Sequence, residues 1–337
     1  MKSDVFVIKD NFIEKLEETL IKANIENVKG KSVAIKLHMG EYGNLNYVRP
    51  PIVGKIVEIV KKFGGEPFLF ETPTAYESTR DTPEKYLDVA RKNGFTEETM
   101  GCPIIISDEG VDTKTEGKIG RIEVGKKLYE ADFLVVISHS KGHSMCGYGG
   151  ALKNLGIGCL TIKSKDAVHS EMHPILSEED CGGSGFCKEK CNWNAITIEN
   201  NKAKIDYSKC TGCGECVKVC PNNALKSSKI NFQELIAEGS SSIIKKFKNN
   251  QIYINVLFDI TGECDCEDTL SQKEFPVCND IGFLVSKDPV AIDNASIDLI
   301  NKEAGKNVFL ELHNFEPKGT SDFAFRFGLG NKEYNLI

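Results

Sequence analysis

The chain has no stretch of about 18 apolar residues and no apolar core behind its first ten residues, Met1 to Asp10, so neither a spanning helix nor a secretory signal is expected. Its 42 Lys and Arg are dispersed and are outnumbered by 49 Asp and Glu, for a net charge of -7. That leaves no basic patch to displace counterions from a phosphate backbone, and nucleic acid is excluded as an expected partner. Tryptophan occurs once, and no Walker-type loop is present. What is abundant is cysteine, with 13 in 337 residues. An odd count, tight clustering and no signal peptide point to metal ligation in a reducing cytoplasm rather than to disulfides.

The first 176 residues alternate strand and helix. Ser32 to Leu37 (SVAIKL) is a short branched run; Pro50 to Phe63 has helical periodicity, with proline at its start and Gly64 at its end. The pattern repeats with strands at Pro67 to Phe70, Pro103 to Ile106 and Asp132 to Ser138, and helices at Pro83 to Asn93 and Arg121 to Tyr129. Residues 177–228 change to a Cys-, Gly- and Asn-rich composition with one hairpin-like stretch, Ala195 to Asp206. Residues 229–337 resume the alternation, with strands at Ile252 to Phe258, Ile281 to Val285 and Val308 to Leu312 and a helix at Val290 to Glu303. The expected fold class is α/β, a mostly parallel sheet with flanking helices, interrupted by a bacterial-type ferredoxin module.

Cys210-x2-Cys213-x2-Cys216-x3-Cys220-Pro221 is the ferredoxin spacing. Three thiolates on one loop wrap an inorganic cube while the fourth reaches a neighbouring one. A structural zinc site normally separates two Cys pairs by a long spacer, which this segment lacks. A shift of 29 positions lays Cys181 on Cys210, Cys187 on Cys216 and Cys191 on Cys220, so the module is a duplication. Crossed ligation gives one cluster Cys210, Cys213, Cys216 and Cys191, and the other Cys181, Cys187 and Cys220. The second set is one ligand short, because Ser184 stands where the repeat has Cys213. Two clusters are therefore expected, one [4Fe-4S] and one with three outcomes open: [3Fe-4S], [4Fe-4S] with serine or water on one iron, or a remote cysteine, for which Cys278 is the best candidate.

Several stretches outside the module, Val33 to Asn44 (VAIKLHMGEYGN), Ser138 to His143 (SHSKGH), Gly149 to Gly158 (GGALKNLGIG), Cys264-Asp265-Cys266 and Asp280 to Asp293 (DIGFLVSKDPVAID), resemble the domain of unknown function 362 family. Its members often carry a ferredoxin insert, so the resemblance implies an α/β fold with iron–sulfur binding and no settled activity. Members with the insert usually show cysteine at both second positions of the repeat, and Ser184 departs from that.

In open α/β sheets ligands bind beyond the carboxyl ends of the strands. Polar residues crowd there: His38, Glu41 and Asn44; Glu71, Thr72, Thr74 and Tyr76; His139, Lys141 and His143; Asp259, Cys264 and Cys266. If their segment turns helically, His139 and His143 can share an additional metal, with Cys264 and Cys266 supplying thiolates. The plain alternative is that the histidines bond backbone and the thiols are merely buried. Lys153, after Gly149-Gly150 at an expected helix start, is a candidate anion binder. His169 and His173 either join cluster to active site or sit in a solvated linker; Cys102, Cys146 and Cys159 are expected to be buried thiols. The expected function is an oxidoreductase, fed by a ferredoxin or similar donor, acting on a small-molecule substrate at the sheet edge through His38, His139, His143, Cys264 and Cys266. The alternative is a non-catalytic carrier, sensor or cluster-delivery protein within a larger complex.

Overall fold

A computed structural model describes residues 2–266 and 275–337. Eight strands form the main sheet: β1 Ser3–Ile8, β2 Ser32–Lys36, β3 Glu66–Glu71, β4 Ile104–Ile106, β5 Phe133–His139, β6 Gln251–Leu257, β7 Gly282–Ser286 and β8 Tyr334–Leu336. Their order is β8-β1-β7-β6-β5-β2-β3-β4. All neighbours pair in parallel except around β7, which runs against both β1 and β6. β5 and β6 are buried along their whole length, as strands covered on both faces must be, and their sequences are correspondingly apolar without alternation.

One face is covered by α1 (Phe12–Lys22) and α2 (Pro50–Lys62), whose Leu16, Leu20, Ile52, Val53, Ile56 and Val60 join Val33, Ile35, Phe133, Val135 and Ile137 in one apolar cluster. Proline opens α2 and Gly64, at φ +80°, follows its end. Two segments depart from the sequence expectation. Arg121–Gly125 is a strand paired antiparallel with Gly110–Lys114, because Ile122 and Val124 alternate inward; only Lys126–Tyr129 is helical. Val308–His313, apolar enough to read as a strand, is a helix that buries Val308 and Phe309 and ends at Asn314 with φ +57°.

The chain divides into two compact units, Met1–Ile162 with Gln233–Ile337, and Lys163–Phe232. The second begins earlier than residue 177 because His169 and His173 bond to the carbonyls of Thr211 and Cys210, at 2.9 Å each, and tie the preceding helix to the cysteine loop. The 29-residue repeat is visible in its backbone. Gly183 and Gly212, Gly185 and Gly214, and Asn194 and Asn223 all take positive φ, and the short helices Phe186–Glu189 and Glu215–Lys218 fall in register.

In the α/β unit the helix Ala151–Gly156 starts on Asp293, whose carboxylate accepts from the amides of Ala151 (2.8 Å) and Leu152 (3.0 Å) and from Asn255 (2.9 Å). Burial pushes the Asp293 carboxyl up to about 6 despite these donors. An unfolded aspartate releases its proton near pH 4, earlier than the folded one, so this group's contribution to stability falls as pH rises from about 4 to about 6. Asp293→Asn should flatten that part of the stability curve by about 2–3 kcal/mol, as read by urea unfolding at the two ends of the window.

Candidate iron–sulfur module and sheet-edge site

Within the cysteine-rich unit, Cys187 and Cys216 are buried in a small core with Ile196, Ala203 and Leu225, and Cys181, Cys191 and Cys220 pack against it. A small pocket open to solvent is lined by Cys181, Ser184, Cys187 and Cys220. Ser184 stands between Gly183 and Gly185 as Cys213 stands between Gly212 and Gly214, with matching left-handed glycines on either side. The other four cysteines form a second group: burial and then the charges of Cys213, Cys210, Cys187 and Cys191 push the Cys216 thiol up to about 12. Backbone amides of Ala203 and Ala195 donate to the sulfurs of Cys181 (3.3 Å) and Cys191 (3.4 Å).

Cys181, Cys187 and Cys220 line one pocket together with Ser184, and Cys191, Cys210, Cys213 and Cys216 supply four further thiols. Thiolate donors alone, with backbone amides turned toward two of the sulfurs, are the donor set that iron–sulfur clusters use.

The α/β unit gathers a second set of groups at the carboxyl ends of β2, β3, β5 and β6. At its base Lys36, fully buried, donates to Glu71 (2.6 Å), Asn154 (2.7 Å) and the Leu37 carbonyl (2.8 Å). Arg80 donates through Nε to Glu41 (2.8 Å), faces Nε2 of His38 through Nη1 (2.9 Å), and lies over the Tyr86 ring, 5.1 Å from its centre. Burial, reinforced by Arg80, keeps His38 neutral well below the usual histidine range. Nη2 of Arg80 is buried and meets no acceptor among the described residues.

Beside this pair, Asp265 bonds His139 Nδ1 (2.6 Å) and Lys141 (3.0 Å). Burial works against its charge, yet His139 and Lys141 hold the carboxyl well below the usual range. The other nitrogen of His139 faces the Phe258 carbonyl at 2.8 Å. Both ring nitrogens of His139 are thus committed to oxygen partners. The segment is also extended, with Lys141–His143 in a two-stranded pairing with Gly147–Gly149, so the helical turn that would align His139 with His143 does not form.

His143 instead bonds Cys264; its Nδ1 accepts from the Met145 amide at 3.2 Å, which leaves Nε2–H to face the sulfur. Burial, helped by Lys153, pulls His143 down to about 4. Lys153 donates to Cys264 Sγ at 3.1 Å. The hydrogen bond from Cys266, then Lys153 and His143 against the cost of burial, hold Cys264 well below the usual thiol range, and Cys266 rises in return. The helix start that made Lys153 an anion candidate is filled by Asp293, and Lys153 points to the thiolate. Cys278 lies in this unit, where burial and then Glu303 and Asp280 push its thiol up to about 11. Sequence reasoning missed Arg80, which belongs to no periodic element, and gave Asp265 no role although it sits between the two cysteines.

An α/β protein with a duplicated ferredoxin-type unit is defined by these features. The family model described as domain of unknown function (DUF362) matches residues 33–298, and the chain belongs to that family. Its ferredoxin-like part is similar to a component of the Na(+)-translocating ferredoxin:NAD(+) oxidoreductase complex of Acetobacterium woodii, 53% identical over 66 residues, covering 19% of this chain and 17% of that protein. It is also similar to the polyferredoxin MvhB of Methanothermus fervidus, 41% identical over 78 residues, covering 20% and 17%. The chain thus spans about a sixth of the length of these relatives. Among solved structures, the lactate racemase apoprotein from Thermoanaerobacterium thermosaccharolyticum aligns over 77% of this chain and 51% of its own, at 12% identity and a TM-score of 0.40.

The loop carrying the thiol pair rests on Gly142, where an added Cβ would fall 1.8 Å from the Gly262 carbonyl oxygen. Gly142→Ala should displace that loop at a cost of about 1–3 kcal/mol and speed alkylation of Cys264 by iodoacetamide. Unchanged alkylation would show that the contact does not hold the loop.

Proposed function

We propose that this protein is an iron–sulfur oxidoreductase that takes single electrons from a ferredoxin-type protein donor and uses them on a small-molecule substrate held at the carboxyl edge of its sheet. The observation that carries the reading is the grouping of the cysteines, with Cys181, Cys187, Cys220 and Ser184 around one pocket and Cys191 and Cys213 acting on both Cys210 and Cys216. The first group would hold one cluster and the second the other, in the crossed pattern of two-cluster ferredoxins. When bound, such clusters accept and release one electron at a time. The N–H donors of Ala195 and Ala203 would spread negative charge from Cys191 and Cys181, and hydrogen bonds to ligand sulfur are one lever on potential. At the sheet edge, Arg80, Lys141 and Lys153 would orient an anionic or polarised substrate, and neutral His38 would hold or accept a proton. The resemblance to a component named as part of a redox complex supports a protein partner.

Ser184 favours a second reading, a sensor or cluster-delivery protein whose incomplete cluster exchanges a ligand. Anaerobic iron and sulfide analysis with paramagnetic resonance separates the two. Signals that change when metabolites are added support catalysis; two clusters unresponsive to any of them support the sensor. Ser184→Cys should raise the iron content and remove any oxidised three-iron signal. An unchanged iron count and spectrum would mean that a remote ligand already fills this corner, and colourless, zinc-loaded protein would overturn both readings.

A further inference from the structure

Resting on the electron-transfer reading, we propose that Cys264 and Cys266 are a two-electron dithiol/disulfide couple, with Cys264 the attacking sulfur and Lys153 and His143 its positioning residues. The chain turns at Asp265 and Cys266 between two cysteines spaced i, i+2, and the two thiols share a hydrogen bond. Lys153, at 3.1 Å, gives Cys264 the electropositive neighbour that marks reactive rather than structural cysteines, and neutral His143 adds a hydrogen bond. Cys146, equally enclosed, shows the contrast: its sulfur donates to the Tyr148 carbonyl (3.3 Å), and burial pushes its thiol up to about 12. The same surroundings disfavour a metal ion on the pair, since the Lys153 ammonium is on Cys264, Arg80 acts on Cys266 and Lys141 is bonded to Asp265 between them.

The couple also answers a matter of electron number. Clusters move electrons singly, while most small organic substrates take them in pairs, and a dithiol/disulfide couple holds such a pair. Two one-electron deliveries from a ferredoxin-type donor, with one proton, break the Cys264–Cys266 bond and leave Cys264 as thiolate and Cys266 as thiol. In the return step the Cys264 thiolate attacks a substrate disulfide and displaces one substrate thiolate. Cys266 gives up its proton and attacks the mixed disulfide at Cys264, releasing the second substrate thiolate and restoring the protein disulfide. Cys264 is 6% exposed, so the disulfide must be a small one.

The holoprotein, purified without oxygen, is equilibrated across ratios of reduced to oxidised dithiothreitol, quenched in acid, alkylated and digested. Mass spectrometry then reads the peptide containing Cys264 and Cys266. The expected result is reversible loss of two hydrogens on that peptide, following a two-electron curve of about 30 mV per tenfold ratio. Lys153→Gln should shift the midpoint about tenfold toward the disulfide, because the thiolate loses its ammonium partner; a merely structural lysine would leave it in place. Independent alkylation of the two thiols at every ratio would overturn the couple, as would a stoichiometric metal released by Cys264→Ser or Cys266→Ser. Iron, sulfide and resonance spectra are taken on the same samples. Full clusters with an inert pair overturn the couple alone, and a reversible pair in protein that binds no cluster supports the couple and overturns the electron-transfer reading.

Discussion

A positive charge taken out of water must meet a negative one, and at the carboxyl edge of this sheet that requirement orders every side chain. Lys36 meets Glu71, Arg80 meets Glu41, Lys141 meets Asp265 and Lys153 meets Cys264. Three of the four anions are carboxylates, for which ionisation is ordinary. The fourth is the Cys264 thiol, which the Cys266 hydrogen bond and then Lys153 and His143 draw toward ionisation against the cost of burial. Removing one partner from such a pair leaves the other buried and uncompensated, so the set holds together as a unit.

The cysteine-rich unit obeys a different constraint. Its core is small, with Ile196, Ala203 and Leu225 as its main apolar members, and much of its interior is sulfur. Small domains of this kind depend on metal binding for folding energy, since the apolar area they bury is too little by itself. The backbone repeats in duplicate, with left-handed glycines flanking Ser184 and Cys213 alike, so serine at the first place keeps the turn that the second half makes around a cysteine.

The ferredoxin-type insert was legible because it is written in local spacing: three short gaps and a repeat need no knowledge of the fold. The parallel sheet was legible for a similar reason, since β2, β5 and β6 are continuous apolar runs. The strand at Arg121–Gly125 and the helix at Val308–His313 were misread because a short run carries too little periodicity to separate the two states, and tertiary contacts decided. Arg80 lay beyond reach for another reason. It follows β3 on an irregular loop, and its partners Glu41 and His38 come from a different strand end, so only the folded chain brings the three together. Asp265 was hidden between two conspicuous cysteines, and its bonds to His139 and Lys141 span more than a hundred residues.

Because β7 runs antiparallel beside β6, the chain that leaves β6 at the carboxyl edge re-enters the sheet at the adjacent position, with Leu257 opposite Gly282. The excursion is pinned at its foot by the Ile281 amide on Leu257 (2.9 Å), the Asp259 amide on Asp280 (2.8 Å) and the Val277 amide on Ile260 (2.7 Å). A parallel neighbour would have demanded a crossover helix on one face of the sheet. Here the cysteine-bearing segment is fastened at both ends to neighbouring rungs, so Cys264 and Asp265 are delivered to the carboxyl edge without a crossover helix on either face of the sheet.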